Sequence, residues 1–195
     1  MALKIYRVSV DPESWRMLPT DESFWKRINL FRLASMRSEW GDPTFYVKNP
    51  VIDKRMDFVG LSVGSLVFWD NVYDSDLGEM IESCGEVLSG KAELNPQPDE
   101  TLHVFNCTAC YNCFDRDKGK ARWTPDGTMA IQVEKYAFHP DRIGDGNLFK
   151  IPETHRVHIY TMTGQEEPES EFYGLYHSLG FTGLKFEEVW SDATE

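Results

Sequence analysis

The residues with the clearest chemical potential are the four cysteines. Cys107, Cys110 and Cys113 repeat at three-residue intervals, and Cys84 lies earlier in the chain. Closely spaced thiolates bind zinc or iron–sulfur clusters, because a short loop can direct successive sulfurs at one centre. Structural zinc sites usually pair two separated C-x-x-C knuckles, however, and free cysteine packs well as a small hydrophobe. We therefore expect packed thiols, with a metal or redox site on Cys84, Cys107, Cys110 and Cys113 as the alternative.

Other motifs that support catalysis are absent from the sequence. No Lys or Arg lies between Cys107 and Cys113 to depress a thiol pKa, which disfavours thiol redox chemistry. Gly64-Ser65 lacks the second glycine of a nucleophile elbow, and no P-loop lysine follows it. The five histidines are scattered, and no partner for any of them is evident. The sequence predicts no catalytic residue and no cofactor, so we expect a protein that is not an enzyme; an enzyme whose active site forms only in the folded chain is a further alternative.

Carboxylates are the second group of candidate functional residues. The formal net charge is −12 and the isoelectric point is near 4.8. This balance disfavours nucleic acid and an anionic membrane surface as partners, since phosphate binding needs clustered Lys and Arg. It suits a basic protein partner. The candidate partner-binding residues lie on a predicted helix and in an acidic loop: Asp74, Asp76, Glu79 and Glu82, then Glu166, Glu167, Glu169 and Glu171.

The helix that presents the first acidic group is predicted from its apolar face. Apolar residues recur at helical spacing at Tyr73, Leu77, Met80, Ile81 and Cys84. Asp70 is the predicted N-cap and Gly85 the predicted C-cap. The pattern indicates a helix of about three turns that packs on a sheet and turns its carboxylates to solvent.

Alternating or continuous apolar runs predict strands in the rest of the chain. The predicted strands are Leu3–Val10, Phe45–Val47, Val59–Trp69, Leu102–Phe105, Ala130–Phe138, His155–Met162 and Gly180–Trp190. Within Ala130–Phe138, we expect Ile131, Val133 and Tyr136 to face the core.

A further helix is predicted to begin at Thr20-Asp21-Glu22, with Phe24, Ile28 and Phe31 on one face. These elements predict an α+β fold: residues 1–195 form a single domain, with a mixed or mostly antiparallel sheet packed with a few helices. The N-terminus shows no secretion signal, and no apolar run reaches the roughly 20 residues of a membrane span. We therefore expect a soluble cytoplasmic protein with reduced thiols.

Several short phrases between Lys48 and Trp190 resemble, in order, a known bacterial family. They are Asp57–Phe58, Gly64–Phe68, Gly85–Leu88, Asn106–Thr108 with Asp115, Tyr136–Phe138, Leu148–Ile151 and Gly180–Trp190. The chain resembles immunity protein family eleven of the polymorphic-toxin loci, formerly a domain of unknown function. Cys107 and Cys110 stand where that family usually has ordinary apolar residues.

The resemblance implies a cytoplasmic antidote that binds and neutralises a toxin delivered by a neighbouring or sister cell. Such families are not enzymes as a rule, and no catalytic residue is implied for this chain. Combined with the acidic composition, the resemblance leads to a hypothesis of inhibition by occlusion. In this hypothesis, an acidic surface docks over a basic toxin domain, and buried aromatic anchors supply most of the affinity.

Overall fold

The computed structural model describes residues 2–28, 33–48, 55–61, 64–94, 97–144 and 146–194. In this part of the chain, the strands are β1 (Lys4–Val10), β2 (Arg16–Pro19), β3 (Thr44–Lys48), β4 (Phe58–Val59), β5 (Leu66–Trp69), β6 (Gly85–Glu93), β7 (Glu100–Cys107), β8 (Lys120–Trp123), β9 (Ala130–Lys135), β10 (Ile159–Thr163) and β11 (Leu184–Ser191). The helices are short: α1 (Phe24–Arg27), α2 (Arg37–Trp40), α3 (Asp70–Tyr73), α4 (Asp76–Ser83) and α5 (Phe172–Ser178). Single 3₁₀ turns lie at Pro140–Arg142, Pro152–Thr154, Pro168–Ser170 and Asp192–Thr194.

The largest sheet has the strand order β2-β3-β6-β7-β5-β4. Neighbouring strands are antiparallel except for the parallel pair β3 and β6. All four residues of β5 are buried, because helices cover both faces of this sheet. Phe68 and Phe105 pack on one face with Leu77 and Ile81 of α4. Val67 packs on the opposite face, in a cluster whose large members are Phe24, Trp40, Phe45 and Trp69.

A second, antiparallel sheet has the order β10-β1-β11 and shares a core with the first. Tyr6 of β1 stacks on Tyr173 of α5, with ring centroids 4.7 Å apart. Ile5 points to the other side, into a third cluster that contains Phe138, Phe149 and Tyr160. Because α5 packs against β10 and against α4, it joins the two sheets.

This arrangement confirms the predicted α+β fold with a mixed sheet and a few helices. Strands at Lys4–Val10, Thr44–Lys48 and Leu184–Ser191 match the expected ones closely. The predicted strand at Leu102–Phe105 lies within β7. No helix in the described ranges is long and apolar enough to span a bilayer.

Three predicted strands differ from the structure. The apolar run Val59–Trp69 is not one strand, since β4 and β5 pair with each other antiparallel. The predicted strand Ala130–Phe138 ends at Lys135, and Ile131 is 54% exposed instead of facing the core. It lies in a two-stranded hairpin with β8, where one face meets solvent. The strand predicted from His155 begins only at Ile159, because His155 and Arg156 have left-handed backbone conformations, with φ of 55° and 60°.

The helix predicted near Thr20 is shorter than its pattern suggested. It begins after Ser23, which makes no side-chain capping bond, and it spans only Phe24–Arg27. Phe24 and Ile28 are buried as predicted. Phe31, the third residue of the predicted face, lies outside the described residues.

Candidate partner-docking surface

The acidic helix of the prediction is two helices, α3 and α4, separated at Asp74 and Ser75. Ser75 is the N-cap of α4: its Oγ accepts from the Gly78 N–H at 3.4 Å and donates to the Val72 carbonyl at 2.6 Å. These bonds satisfy backbone groups at the start of α4 and fix the break. A Cβ on Gly78 would lie 2.2 Å from the Tyr73 carbonyl oxygen, so the junction requires glycine.

The predicted caps of this helix were therefore wrong. Asp70 is the first residue of α3, whose N-cap is Trp69. Gly85 begins β6, and Cys84 is the C-cap of α4. The chain enters β6 directly from the helix, so no left-handed glycine is needed to turn it.

The four predicted carboxylates of this region are all exposed: Asp74, Asp76, Glu79 and Glu82. Leu77, Ile81 and Cys84 of the predicted apolar face are buried. Tyr73, which was assigned to the same face, is instead 36% exposed. The negative charge of Glu82 and a hydrogen bond to it raise the pKa of Tyr73. The ring thus lies flat at the edge of the carboxylates, stacked on His103 with centroids 4.1 Å apart.

The acidic loop before α5 divides into two kinds of residue. Glu166, Glu167 and Glu169 are exposed, as predicted for a docking surface. Glu171, by contrast, is only 7% exposed, and we leave it out of the docking surface. Its carboxylate accepts backbone N–H groups of the preceding turn: Gly164 at 3.0 Å, Gln165 at 2.8 Å and Glu166 at 3.0 Å. Glu171 therefore holds the loop in shape.

The two acidic segments belong to neighbouring elements of the fold. Helix α4 packs against α5, and α5 packs against the 3₁₀ turn Pro168–Ser170. No Lys or Arg occurs between Arg55 and Lys91, or between Arg156 and Lys185. We call the exposed carboxylates of this layer the acidic layer: Asp74, Asp76, Glu79, Glu82, Glu166, Glu167 and Glu169.

The cysteines that the sequence offered as metal ligands go to different places. Cys107 ends β7 and packs in the cluster beneath α4, whereas Cys113 packs in the separate cluster around Phe149. Cys110 lies between them and is partly exposed. Cys84 donates its thiol to the Met80 carbonyl at 3.4 Å. All four are free thiols, and no group of three or more His, Cys, Asp or Glu among the described residues could hold a metal ion.

Burial governs the acidity of these thiols. Desolvation raises the pKa of both Cys107 and Cys113 to about 12. The cysteine motif itself contains no cation, but the fold places Lys150 beside Cys110, because the backbones of the two residues form an isolated parallel β-bridge. Arg156 and Lys150 both act to lower the pKa of Cys110, but desolvation is the larger effect and raises it. The arrangement keeps the thiols protonated, which is the opposite of what metal binding or nucleophilic chemistry requires.

One constellation that the sequence did not reveal is a hydrogen-bonded chain through His103. Ser89 lies opposite His103 in the β6–β7 ladder, with Oγ 3.1 Å from Nδ1. The other ring nitrogen, Nε2, lies 2.7 Å from Oδ1 of Asp70. No sequence pattern indicates this group, because only the sheet register and the start of α3 bring the three residues together.

This Ser–His–Asp chain positions α3 on the sheet. The imidazole is 4% exposed and lies between Tyr73 and Phe68, and each of its nitrogens already has a partner. A catalytic imidazole must reach the leaving group of a substrate, which this buried ring does not. The chain instead anchors the first residue of α3, and with it Tyr73 and the acidic layer.

Searches against protein-family models and against curated proteins found no match for this chain. The family resemblance therefore stays a prediction, and the geometry of the described residues carries the functional argument.

Proposed function

We propose that this chain is a cytoplasmic, non-catalytic immunity protein that binds a basic toxin domain and blocks its active site. The observation that carries this proposal is the acidic layer. Seven exposed carboxylates lie on or beside elements that pack in series, in two stretches of the sequence that contain no Lys or Arg. Such a surface attracts a basic partner over distances comparable to the Debye length, about 8 Å at physiological salt.

Two apolar side chains in the same layer supply candidate anchors. Tyr73 ends α3 and is 36% exposed, and Leu179 follows α5 and is 43% exposed. An aromatic or aliphatic group that becomes buried at the centre of an interface contributes more affinity than the charged rim around it. Tyr73 is held rigidly by its stacking on His103, so its burial costs little side-chain entropy.

The family resemblance supports the same function independently of the surface. Four of the phrases that carry it overlap β5, β6, β7 and β11, and α4 packs against β6 of this group. The metal or redox alternative gains no support from the described residues, since no group of them could hold a metal ion, Cys107 and Cys113 lie in separate clusters, and desolvation raises the pKa of both of these thiols.

We expect a neighbouring reading frame to encode the basic toxin domain, and this domain is used in the test. Co-expression with this chain should restore growth of cells that produce the domain. The association rate of the purified pair should fall about tenfold when three charges of the acidic layer are removed, as in the triple variant Asp74→Asn, Glu79→Gln, Glu82→Gln. The variant should also show a weaker dependence of the rate on salt. Asp76, the first residue of α4, is left unchanged so that the variant keeps one of the two first-turn carboxylates that stabilise the helix.

A matched control removes the same number of charges outside the acidic layer, in the triple variant Glu13→Gln, Glu22→Gln, Asp42→Asn. These three side chains are exposed, and the control should bind at close to the wild-type rate. Equal rates for the two triple variants would show that net charge, not the acidic layer, guides association. Failure of the wild-type chain to restore growth would reject the immunity function itself.

A further inference from the structure

A cleft of about 510 Å³ lies where the two sheets separate. Strands β1 and β10 pair through Val8 and Ile159, and beyond this pair their ends diverge. The turn after β1, the start of β2 and the described residues Gly60, Leu61, Gly64 and Ser65 line the rest of the space. Its volume is in the range of about 300–1,000 Å³ that is usual for small-molecule sites.

The charge of this cleft is opposite to that of the molecule. Its lining carries Arg7, Arg16 and His158, against a single carboxylate, Asp11. A second cleft has one cation, Arg55, and three carboxylates: Asp57, Asp70 and Glu100. A third has Lys91 and also three carboxylates: Asp42, Asp99 and Glu100. Cations thus outnumber carboxylates in the first cleft alone among these three, in a chain of net charge −12.

The charged side chains of the cleft differ in whether they already have hydrogen-bond or ion-pair partners in the protein. Asp11 accepts the Glu13 N–H at 2.9 Å and lies 3.4 Å from the Lys185 ammonium. Arg7 is paired with Glu187. The exposed Arg16 side chain makes no hydrogen bond or ion pair with the described residues, although its backbone is fixed beside Gly60. Arg16 is therefore the cation best placed to bind an anion from solution.

His158 adds a neutral hydrogen-bonding group to the same cleft. Its Nδ1 lies 3.5 Å from the Tyr160 hydroxyl. Burial and the nearby Arg7 lower the pKa of His158, so the ring is uncharged at neutral pH. An uncharged imidazole can donate one N–H to an anionic oxygen.

Apolar side chains form most of the remaining wall, beside the hydroxyl groups of Ser9, Ser14 and Ser65. Leu61 is buried, and Trp15 is partly buried with its ring against Trp69 at 6.4 Å. Val10 and Val157 are partly buried and also line the space. Gly60 keeps this side open, since a Cβ there would meet nothing closer than 3.6 Å. A ligand that fills the cleft must therefore combine an anionic group with an apolar body.

We propose that this cleft binds a small organic anion, with Arg16 and Arg7 holding the anionic group and Trp15 and Leu61 contacting the apolar body. Guanidinium groups bind carboxylate and phosphate oxygens with charge-assisted hydrogen bonds. The cleft and the acidic layer share no residue, so this site does not depend on the toxin-binding proposal.

The test is a calorimetric titration of the full chain with phenyl phosphate and with 2-naphthoate, two anions on aromatic bodies. Inorganic phosphate and phenol serve as probes of the anionic part and the apolar part alone. We expect saturable binding of both aromatic anions, with at least about tenfold weaker binding of inorganic phosphate and of phenol. Quenching of Trp15 fluorescence should accompany binding, and Trp15→Phe should remove that signal.

Two variants with the same change of charge locate the site. Arg16→Gln should weaken binding of both aromatic anions at least about tenfold, the usual effect of losing one charge-assisted hydrogen bond. Arg122→Gln, an exposed position on β8, should bind like the wild type. The proposal is overturned if neither aromatic anion binds at millimolar concentration, if inorganic phosphate or phenol binds equally well, or if the two variants behave alike.

Discussion

Carboxylates of the acidic layer and cysteines of residues 107–113 both recur at every third residue, but only the carboxylates stay together on one surface. Asp76, Glu79 and Glu82 lie three residues apart on α4 and remain together on its exposed face. Cys107, Cys110 and Cys113 are also three apart, but they follow the end of a strand and enter different parts of the core. The spacing keeps the carboxylates together because α4 is helical, whereas the cysteines begin at the last residue of a strand and continue into irregular chain. A spacing motif therefore indicates a site only in combination with the element that carries it.

The two regions also differ in exposure to water, which stabilises the charged form of the carboxylates but does not reach the buried thiols. The carboxylates of the acidic layer stay in water, where charge costs nothing and can attract a partner. The thiols of Cys107 and Cys113 lie in apolar surroundings that disfavour the thiolate. One region can therefore act through charge, and the other contributes packing.

The largest effect expected from this difference is the protection of the buried thiols. In native protein at pH 8, Cys107 and Cys113 should react with iodoacetamide about a thousand times more slowly than in denaturant, because a pKa of about 12 in place of 9.0 removes nearly all thiolate. Cys110 is partly exposed and should react first. Pulsed alkylation with mass spectrometry of the peptides measures each rate. Equal rates for Cys107 in native and denatured protein would contradict its burial.

The raised pKa of Cys107 and Cys113 also predicts that the folded protein loses stability at alkaline pH. Because folding raises the pKa of Cys107 and Cys113, their contribution is complete below the unfolded value of 9.0 and disappears as the pH rises towards about 12. The free energy of unfolding should fall by about 2 kcal/mol per thiol at pH 10.5. Urea unfolding from pH 8 to 11 tests this. The double variant Cys107→Ala, Cys113→Ala should lose less over this range, and an identical loss would assign the effect to other groups.

The acidic loop offers a comparison of buried and exposed carboxylates within a few residues. Glu171→Ala should lower the free energy of unfolding by about 2–3 kcal/mol, because it leaves backbone N–H groups of the turn without their acceptor. Glu169→Ala removes an exposed side chain and should change it by less than about 0.5 kcal/mol. Thermal and urea unfolding measure both. Similar losses for the two variants would mean that the loop is not held by Glu171.

The smallest predicted effect concerns the start of α4. Ser75→Ala removes the side chain that caps the helix and should cost about 1 kcal/mol of stability. Ser75→Asp replaces one capping side chain with another and should restore most of it. If both variants lose equally, the bond from Ser75 Oγ to the Val72 carbonyl is the important one, because Asp cannot donate it.

The spacing of apolar residues predicted those elements in which the same residues are buried in the folded chain. Strands β1, β3 and β11 and the buried face of α4 could be read from alternation or helical spacing. The predicted bounds were wrong where the backbone conformation changes within a stretch that has regularly spaced apolar residues. The left-handed residues His155 and Arg156 delay β10, and the bonds of Ser75 divide the predicted helix. Ile131 is exposed because no described part of the chain packs over its face of the β8–β9 hairpin, and the sequence of the hairpin does not reveal which face is covered.

The sequence by itself determined the charge of this protein, its α+β class and the exposure of the α4 carboxylates, because composition and period fix which side chains can be buried. Only the tertiary structure decided which of these residues act together. It separated Cys107 from Cys113, withdrew Glu171 from the surface, and joined Ser89, His103 and Asp70 into one chain. It also brought Arg7, Arg16 and His158 to one cleft. These outcomes depend on sheet register and packing between distant segments, which no local spacing records.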